Sequence, residues 1–205
     1  MLGHDQRRDS LIEGASELNG WGGRGVLPND EFRTPEHLVK QCLAALEPIE
    51  QPSEHHTLSL LDPCAGTGAW FFRMAEQWPY AKIDRNEILE GTDFFQNHRD
   101  YDWIIGNPPF SNLTAWLQHS ALLATKGIAY ILPSHALNYN RIRMMESFGF
   151  YLAQIHVFEN PKEWRLGYPH FFVVWRTNFL RARMISLGPP VGKQERLGMF
   201  LDGGE

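Results

Sequence analysis

The sequence predicts a single α/β domain built on a doubly wound, mostly parallel sheet with an antiparallel edge. Strand-like apolar runs alternate with helix-like amphipathic segments between about residues 57 and 148, which is typical of parallel strands joined by helical crossovers. The last two apolar runs, 151–158 and 170–175, have no helical pattern between them, which favours an antiparallel edge. The chain has 205 residues, of which 43% are hydrophobic, and this is enough for one domain with a buried core.

The first helix is predicted to begin at Thr34-Pro35, because Thr34 can cap a helix and Pro35 suits its first position. Residues 57–62 predict a buried strand, which passes through a glycine-containing turn into a helix over 69–77. The elements predicted next are a strand within 80–88, a strand over 101–106, a helix over 112–124, a strand over 127–132 and a helix over 140–148. In such a sheet ligands bind at the carboxyl ends of the strands, so the turns that follow the strands are the candidate site.

The two ends of the chain are expected to lie outside this domain. Residues 1–30 predict a weakly ordered arm, because their glycines lie among polar residues with no sustained hydrophobic period. The domain is predicted to span 31–183, and residues 184–205, with several glycines and prolines, predict a loose tail.

Composition and charge exclude several classes of protein. The chain has 19 basic and 24 acidic side chains, a net charge of -5, which argues against coating nucleic acid through bulk charge but allows a local basic face. No segment approaches the roughly 18 apolar residues of a membrane span, and the first residues lack an apolar signal core. The only cysteines, Cys42 and Cys64, form no CxxC pair, so neither a disulfide framework nor a zinc site is predicted. We therefore expect a cytoplasmic protein without a membrane or metal partner.

The segment 62–68 (DPCAGTG) follows the first predicted strand and opens a helix. Gly66 and Gly68 permit a tight turn and close approach of the backbone to a ligand. A dinucleotide fingerprint would need glycine where Phe71 stands, and the Gly-Lys-Ser/Thr run of a P-loop is missing. The segment suits a nucleoside ligand that carries a cationic group, or else it is an ordinary strand-to-helix turn.

The segment Asn107-Pro108-Pro109-Phe110 ends the strand predicted over 101–106. Two consecutive prolines make the turn rigid and allow the Pro108 carbonyl to face a cleft. The Asn107 carboxamide offers a second hydrogen-bond acceptor, and Phe110 offers a flat stacking surface. These groups would hold a planar amine, although a plain turn after a strand is the alternative.

Together these motifs resemble the S-adenosylmethionine-dependent amino-methyltransferases that modify adenine in nucleic acid. Residues 32–35 (FRTP) are similar to that family's N-terminal cofactor segment, and the order of the motifs resembles the gamma arrangement of DNA adenine methyltransferases and modification subunits of restriction systems. The resemblance covers about residues 31–176 and implies the class I methyltransferase fold, S-adenosylmethionine as cofactor and DNA as substrate.

The resemblance also implies roles for individual residues. The cofactor would be held by residues of the N-terminal segment and the glycine loop, namely Thr34, Pro35, Asp62, Pro63, Ala65, Gly66 and Gly68. Glu87 would bind the ribose hydroxyls, with Asp84 as the alternative, and Asp93-Phe94 would bracket the adenine ring of the cofactor. The catalytic set would be Asn107, Pro108, Pro109 and Phe110, which hold the amine of a flipped base while the methyl group is transferred.

Several later residues are weaker candidates. Tyr168, Pro169 and His170 can form part of a wall that binds the base, or simply an edge strand with its loop, and His135 can line the cleft or pack. The late arginines form either a basic face for phosphates or a solvated surface: Arg141, Arg143, Arg165, Arg176, Arg181 and Arg183. His55-His56 are expected to be solvated.

We expect no separate target-recognition domain after the catalytic core, as in a small enzyme from a phage or mobile element. Specificity would then be low, or come from short loops such as 159–169, from a homodimer or from a specificity partner. Three alternatives to a DNA adenine methyltransferase remain: an RNA adenine methyltransferase, a protein glutamine methyltransferase and a non-catalytic methyltransferase-like subunit.

Overall fold

The computed structural model describes residues 32–46, 49, 57–164, 167–177 and 183–186. The predicted arm over 1–30, the residues His55-His56, and Arg165 and Arg181 lie outside the described residues. The described helices are α1 (Glu36–Ala44), α2 (Ala69–Gln77), α3 (Leu113–Leu123) and α4 (Tyr139–Ser147). The described strands are β1 (Ser59–Asp62), β2 (Lys82–Arg85), β3 (Tyr101–Gly106), β4 (Ala124–Pro133), β5 (Phe150–Val157), β6 (His170–Thr177) and β7 (Arg183–Ser186).

The described strands form one sheet in the order β2-β1-β3-β4-β6-β5-β7. Strands β2, β1, β3 and β4 are parallel to one another, and β6 is antiparallel to both of its neighbours, β4 and β5. The predicted mixed α/β fold is thus confirmed. Strand β7 pairs with β5 in parallel and continues the sheet past residue 183, where the sequence predicts the start of a loose tail.

The order of the strands reverses between β1 and β3. From β1 the chain passes through α2 to β2 on one side, and then crosses to β3 on the other side of β1. At such a switch point the two connections leave in opposite directions and open a crevice at the carboxyl ends of the strands. The glycine loop follows β1 and the NPPF segment follows β3, so the fold brings both motifs to this crevice.

The core has one layer on each face of the sheet. On one face α1 and α2 cover Trp103 and Val174, and on the other α3 covers Tyr130 and Trp175. All the described tryptophans are buried, which means that the richness in aromatic residues mainly serves packing: Trp70, Trp78, Trp103, Trp116, Trp164 and Trp175. No helix in the described part of the chain is long and apolar enough to cross a membrane.

The start of α1 differs from the prediction in one respect. Pro35 is the N-cap residue, and no side chain caps the helix. The Thr34 hydroxyl, predicted as the cap, instead accepts a hydrogen bond from the indole Nε1 of Trp70 at 3.1 Å. This contact between α2 and the N-terminal segment buries the hydroxyl, and a pattern of local capping residues does not reveal it.

Candidate active site

The glycine loop leaves β1 through two residues with left-handed backbone conformation. Gly66 has a φ of 52° and Gly68 a φ of 87°. A Cβ atom on Gly68 would lie 2.6 Å from the ring of Phe72, whereas a Cβ atom on Gly66 would meet no atom within 4 Å. Gly68 therefore permits the close start of α2, and Gly66 borders open space at the mouth of the crevice.

The side chain of Asp62, at the end of β1, holds the glycine loop through hydrogen bonds to backbone N–H groups. Its carboxylate is fully buried and accepts hydrogen bonds from the backbone N–H groups of Cys64 at 3.4 Å and Phe71 at 3.2 Å. Gly106 makes room for it, because a Cβ atom there would lie 3.3 Å from Oδ1 of Asp62. Burial raises the pKa of Asp62 to about 7, against the opposing effect of the two backbone hydrogen bonds. The side chain thus organises the glycine loop, and its predicted contact with a cofactor stays a prediction.

Glu87 lies beside the glycine loop. Its Oε2 accepts a hydrogen bond from the backbone N–H of Gly66 at 2.6 Å, and its Oε1 accepts one from Leu89 at 3.1 Å. Asp84, the alternative ribose ligand, lies within β2 and accepts a hydrogen bond from the hydroxyl of Tyr101 at 3.0 Å. The geometry therefore favours Glu87, whose carboxylate is at the carboxyl end of β2 and next to the open side of Gly66.

The Asn107 carboxamide is held in one orientation at the end of β3. Its Nδ2 donates a hydrogen bond to the carbonyl of Phe32 at 2.7 Å, and because that carbonyl can only accept, the amide nitrogen must face it. Its Oδ1 is buried and finds no hydrogen-bond partner among the described residues. A buried acceptor without a partner costs about 1–3 kcal/mol, so this atom is one to which a ligand N–H would bind favourably.

The two motifs are joined directly to each other. The thiol of Cys64, within the glycine loop, donates a hydrogen bond to the backbone carbonyl of Asn107 at 3.2 Å. Pro108 is buried, and Pro109 precedes a short 3-10 turn over Phe110–Asn112. Sequence reasoning missed the role of Cys64, since a lone cysteine in a turn carries no pattern that reveals a long-range contact.

The N-terminal segment closes one side of the crevice. The ring of Phe32 stacks on that of Phe110, with centroids 5.5 Å apart and an interplanar angle of 15°. The indole Nε1 of Trp164 donates a hydrogen bond to the Arg33 carbonyl at 2.9 Å. The FRTP segment is therefore tied to the NPPF turn and to the loop before β6, as well as to α2 through Thr34.

Asp93 and Phe94 lie in the connection between β2 and β3. The Asp93 carboxylate caps a short turn by accepting the backbone N–H of Phe95 at 2.9 Å. The ring of Phe94 is 2% exposed and stacks on Trp116 of α3, with centroids 4.7 Å apart. Phe94 is a core side chain here, and the contact of this pair with an adenine ring stays a prediction.

His170 is packed against the ring of Phe110, with centroids 5.3 Å apart. Its Nδ1 lies 3.1 Å from Oδ1 of Asn160, which only accepts, so Nδ1 carries the proton; Nε2 is buried without a partner among the described residues. Burial lowers the pKa of His170 to about 4, so the ring is neutral near pH 7. Tyr168 contacts both His170 and His135, at 5.2 and 4.9 Å between centroids.

These contacts bring the rings of Tyr168, His135 and His170 together beside Phe110, and their role as a wall for the base stays a prediction. The Pro169 carbonyl accepts a hydrogen bond from the backbone of Ser134 at 2.9 Å, which joins the loop before β6 to the end of β4. An open groove of about 520 Å³ runs along this loop, lined by Phe158, Glu159, Asn160, Gly167, Tyr168 and Pro169.

Three of the late arginines have described side chains, and each makes a different contact. Arg141 of α4 donates from its guanidinium to Thr114 at the start of α3 and to the Ala136 carbonyl in the turn after β4. Arg143 pairs with Glu146 on α4. Arg176 lies over the ring of Trp103, towards the opposite end of the sheet. Of the described set, only Arg141 is placed at the crevice by these contacts.

Comparisons with known proteins show which solved structures share the fold of this chain. Neither a protein-family model nor a curated protein sequence matches the chain. Among solved structures, one assigned as the modification subunit of a type I restriction enzyme from Vibrio vulnificus has a TM-score of 0.61 at 14% identity, covering 100% of this chain and 60% of its own length. One assigned as a class I S-adenosylmethionine-dependent methyltransferase from Listeria monocytogenes has a TM-score of 0.59 at 12% identity and covers 98% of this chain and 79% of its own length. The chain has the class I methyltransferase fold.

The class I methyltransferase fold occurs with different substrates. Magnesium protoporphyrin IX methyltransferase from Synechocystis, solved with bound S-adenosylmethionine, has a TM-score of 0.52 at 16% identity, with 87% of this chain and 99% of that chain covered. This chain spans 60% of the length of the Vibrio vulnificus subunit. The substrate must therefore be argued from the site and not from the fold.

The chemical groups at the crevice suit an organic ligand. They comprise the buried acceptor Oδ1 of Asn107, the carboxylate of Glu87, the open side of Gly66 and the ring of Phe110. Within the described ranges, no group of three or more histidine, cysteine, aspartate or glutamate side chains could hold a metal ion.

Proposed function

We propose that this chain transfers a methyl group from S-adenosylmethionine to the exocyclic amine of adenine in DNA, with the segment 107–110 (NPPF) holding the flipped base. The single observation that carries the proposal is the buried Oδ1 of Asn107, an acceptor fixed in orientation and without a partner among the described residues. Its place at the switch point of a class I methyltransferase fold, beside the glycine loop, supports the same reaction.

The residues of the crevice fit the proposed cofactor. Glu87 offers a carboxylate for the ribose hydroxyls, and the missing Cβ of Gly66 leaves space for the ligand above the loop. Asp62 holds the glycine loop by accepting hydrogen bonds from the backbone N–H groups of Cys64 and Phe71. When bound, S-adenosylmethionine supplies a methyl group on a positively charged sulfonium, whose sulfur departs as a neutral thioether.

Asn107 would orient the amine and increase its nucleophilicity. The amine of adenine is a poor nucleophile because its lone pair is delocalised into the ring, and a hydrogen bond from its N–H to Oδ1 of Asn107 would favour the localised pair. The nitrogen would then form the new N–C bond with that pair, while the electrons of the broken S–C bond would go to sulfur. One proton of the resulting cationic amine would leave to solvent, so the transfer would require orientation and electrostatics but no strong base.

A base in a duplex must leave the stack before it reaches this crevice. The ring of Phe110 follows the rigid Pro108-Pro109 unit and offers a stacking surface for the extruded base, which offsets part of the cost of unstacking. The wall of His170 and Tyr168 would close the other side of the pocket. DNA is proposed over the other acceptors because the order of the segments 32–35, 62–68 and 107–110 resembles that of DNA adenine methyltransferases.

Asn107→Ala tests the proposal, with Gln77→Ala as a matched control. Gln77, at the end of α2, also donates its amide to a backbone carbonyl, that of Leu43 at 3.0 Å, but lies away from the crevice. We expect Asn107→Ala to reduce methyl transfer from labelled S-adenosylmethionine to unmethylated DNA by about a hundredfold or more. Cofactor binding by this variant, and transfer by Gln77→Ala, should remain within about threefold of the wild type.

Three outcomes would contradict the proposal in different ways. Loss of both transfer and cofactor binding in Asn107→Ala would mean that the site is misplaced. Label in ribosomal RNA or in a glutamine amide, with none in DNA, would establish one of the alternative acceptors. Binding of cofactor and DNA without transfer by the wild-type protein would establish a non-catalytic subunit.

A further inference from the structure

The ring of Phe32 occupies the stacking surface of Phe110 in the free protein. The two rings are nearly parallel, at 15°, and their centroids are 5.5 Å apart. Aromatic planes in contact are about 3.5 Å apart, so a base inserted between them would need a spacing of roughly 7 Å. The distance between the planes cannot exceed that between the centroids, so no base fits between Phe32 and Phe110 as they stand.

Of the two ring contacts described for Phe110, that with Phe32 is restrained by fewer hydrogen bonds than that with His170. His170 is the first residue of β6, is fully buried, and has both its backbone N–H and its Nδ1 bound to Oδ1 of Asn160 at 3.1 Å. Phe32 is partly buried and lies in the extended segment before α1, with its ring edge against Trp164. Its carbonyl is held by Asn107, but the ring can rotate about χ1 without breaking that hydrogen bond.

We propose that Phe32 blocks the base pocket in the free protein. Its ring occupies the stacking position on Phe110 that the target base occupies during the reaction, so the base must displace it. This inference rests on the proposed function, because it assumes that Phe110 stacks on a base. Since one aromatic stack replaces another, stacking alone gives an incoming ring little net stabilisation. A base is held only if it adds what the phenyl ring of Phe32 cannot, a hydrogen bond to the Oδ1 of Asn107.

The test measures binding of a base to variants that lack the aromatic ring of Phe32. The probe is a short fluorescein-labelled single-stranded oligodeoxythymidine that carries one adenine, which keeps the 6-amine, and the rise in its fluorescence polarisation on binding is compared with that of the same oligomer without adenine. Phe32→Ala removes the ring, and Phe32→Leu keeps an apolar contact for Trp164 without the stack. Tyr151→Ala is the matched control, because Tyr151 is a partly exposed aromatic residue at the amino end of β5, away from the crevice.

We expect both Phe32 variants to bind the probe roughly threefold to tenfold more tightly than the wild type, the factor that corresponds to one aromatic pair. Tyr151→Ala should bind it as the wild type does, and Phe110→Ala should lose the preference for the oligomer that carries adenine. Cofactor affinity and the thermal midpoint of each variant are measured alongside. Damage to the fold cannot mimic this result, because it would weaken binding.

Unchanged or weaker binding by both Phe32 variants, in a protein that does methylate DNA, would overturn this inference and leave the proposed function standing. Absence of probe binding by every variant, together with no methyl transfer to any nucleic acid, would contradict the proposed function, and the role of Phe32 would be rejected with it.

Discussion

Gly66→Ala separates the cost of a left-handed backbone from the loss of space for a ligand. Gly66 and Gly91 have φ values of 52° and 82°, and a Cβ atom at either position would meet no atom within 4 Å. A residue with a Cβ atom pays about 1–2 kcal/mol in this conformation, so both alanine variants should be destabilised to a similar extent. For a chain of 205 residues, this corresponds to a fall in Tm of roughly 2–8 °C.

The two variants should differ in cofactor binding. The methyl group at position 66 would occupy the space above the glycine loop, next to the carboxylate of Glu87, whereas Gly91 lies after the short turn that Glu87 begins. We expect Gly66→Ala to raise the Kd for S-adenosylmethionine at least about tenfold, a loss of about 1.4 kcal/mol, and Gly91→Ala to change it less than about threefold. Isothermal titration at a temperature well below both Tm values makes the comparison. Equal affinities in the two variants would refute the assignment of this loop to the cofactor.

Three further predictions concern groups around the same crevice. The pKa of Asp62 is raised from 3.8 to about 7 in the folded state, so its contribution to stability is full below about pH 4 and is lost as the pH rises through 7. In urea unfolding, the free energy of unfolding of Asp62→Asn should therefore increase relative to that of the wild type by up to about 4 kcal/mol over this pH range. A difference between the two proteins that does not change with pH would contradict the raised pKa. Glu87→Gln should raise the Kd for S-adenosylmethionine roughly tenfold or more while Asp84→Asn changes it little, and the reverse order in titration would assign the ribose to Asp84. Thr34→Val leaves the buried Nε1 of Trp70 without its hydrogen-bond partner and should lower the free energy of unfolding by about 1–3 kcal/mol. Thr34→Ser keeps the hydroxyl and should retain most of the wild-type stability, whereas an equal loss of stability in both variants would show that the hydrogen bond is unimportant.

Local patterns were sufficient to predict most of the fold. Strand β3 and helix α2 begin and end at the predicted residues, because each is a compact apolar or amphipathic run bounded by glycine, proline or polar residues. The crevice followed from the same patterns, since parallel strands bring the turns after β1 and β3 to one edge of the sheet.

Long-range contacts of single side chains could not be predicted in this way. The hydroxyl of Thr34 looks like a helix cap in sequence, but its partner is the indole of Trp70. The hydrogen bonds from Cys64 to Asn107 and from Asn107 to Phe32 join segments that only the folded chain brings together. Strand β7 was missed because a run of only four residues, close to a glycine and two prolines, gives no clear period, and pairing with β5 determines its conformation.

The identity of the methylated product tests the central claim most directly. Wild-type protein would be incubated with labelled S-adenosylmethionine and, in parallel, unmethylated duplex DNA, single-stranded DNA and ribosomal RNA, and each product digested to nucleosides and analysed by mass. We predict N6-methyladenine from DNA and its absence with Asn107→Ala. No methylated nucleoside from any nucleic acid, in a protein that binds S-adenosylmethionine, would contradict the claim that the NPPF turn holds an adenine.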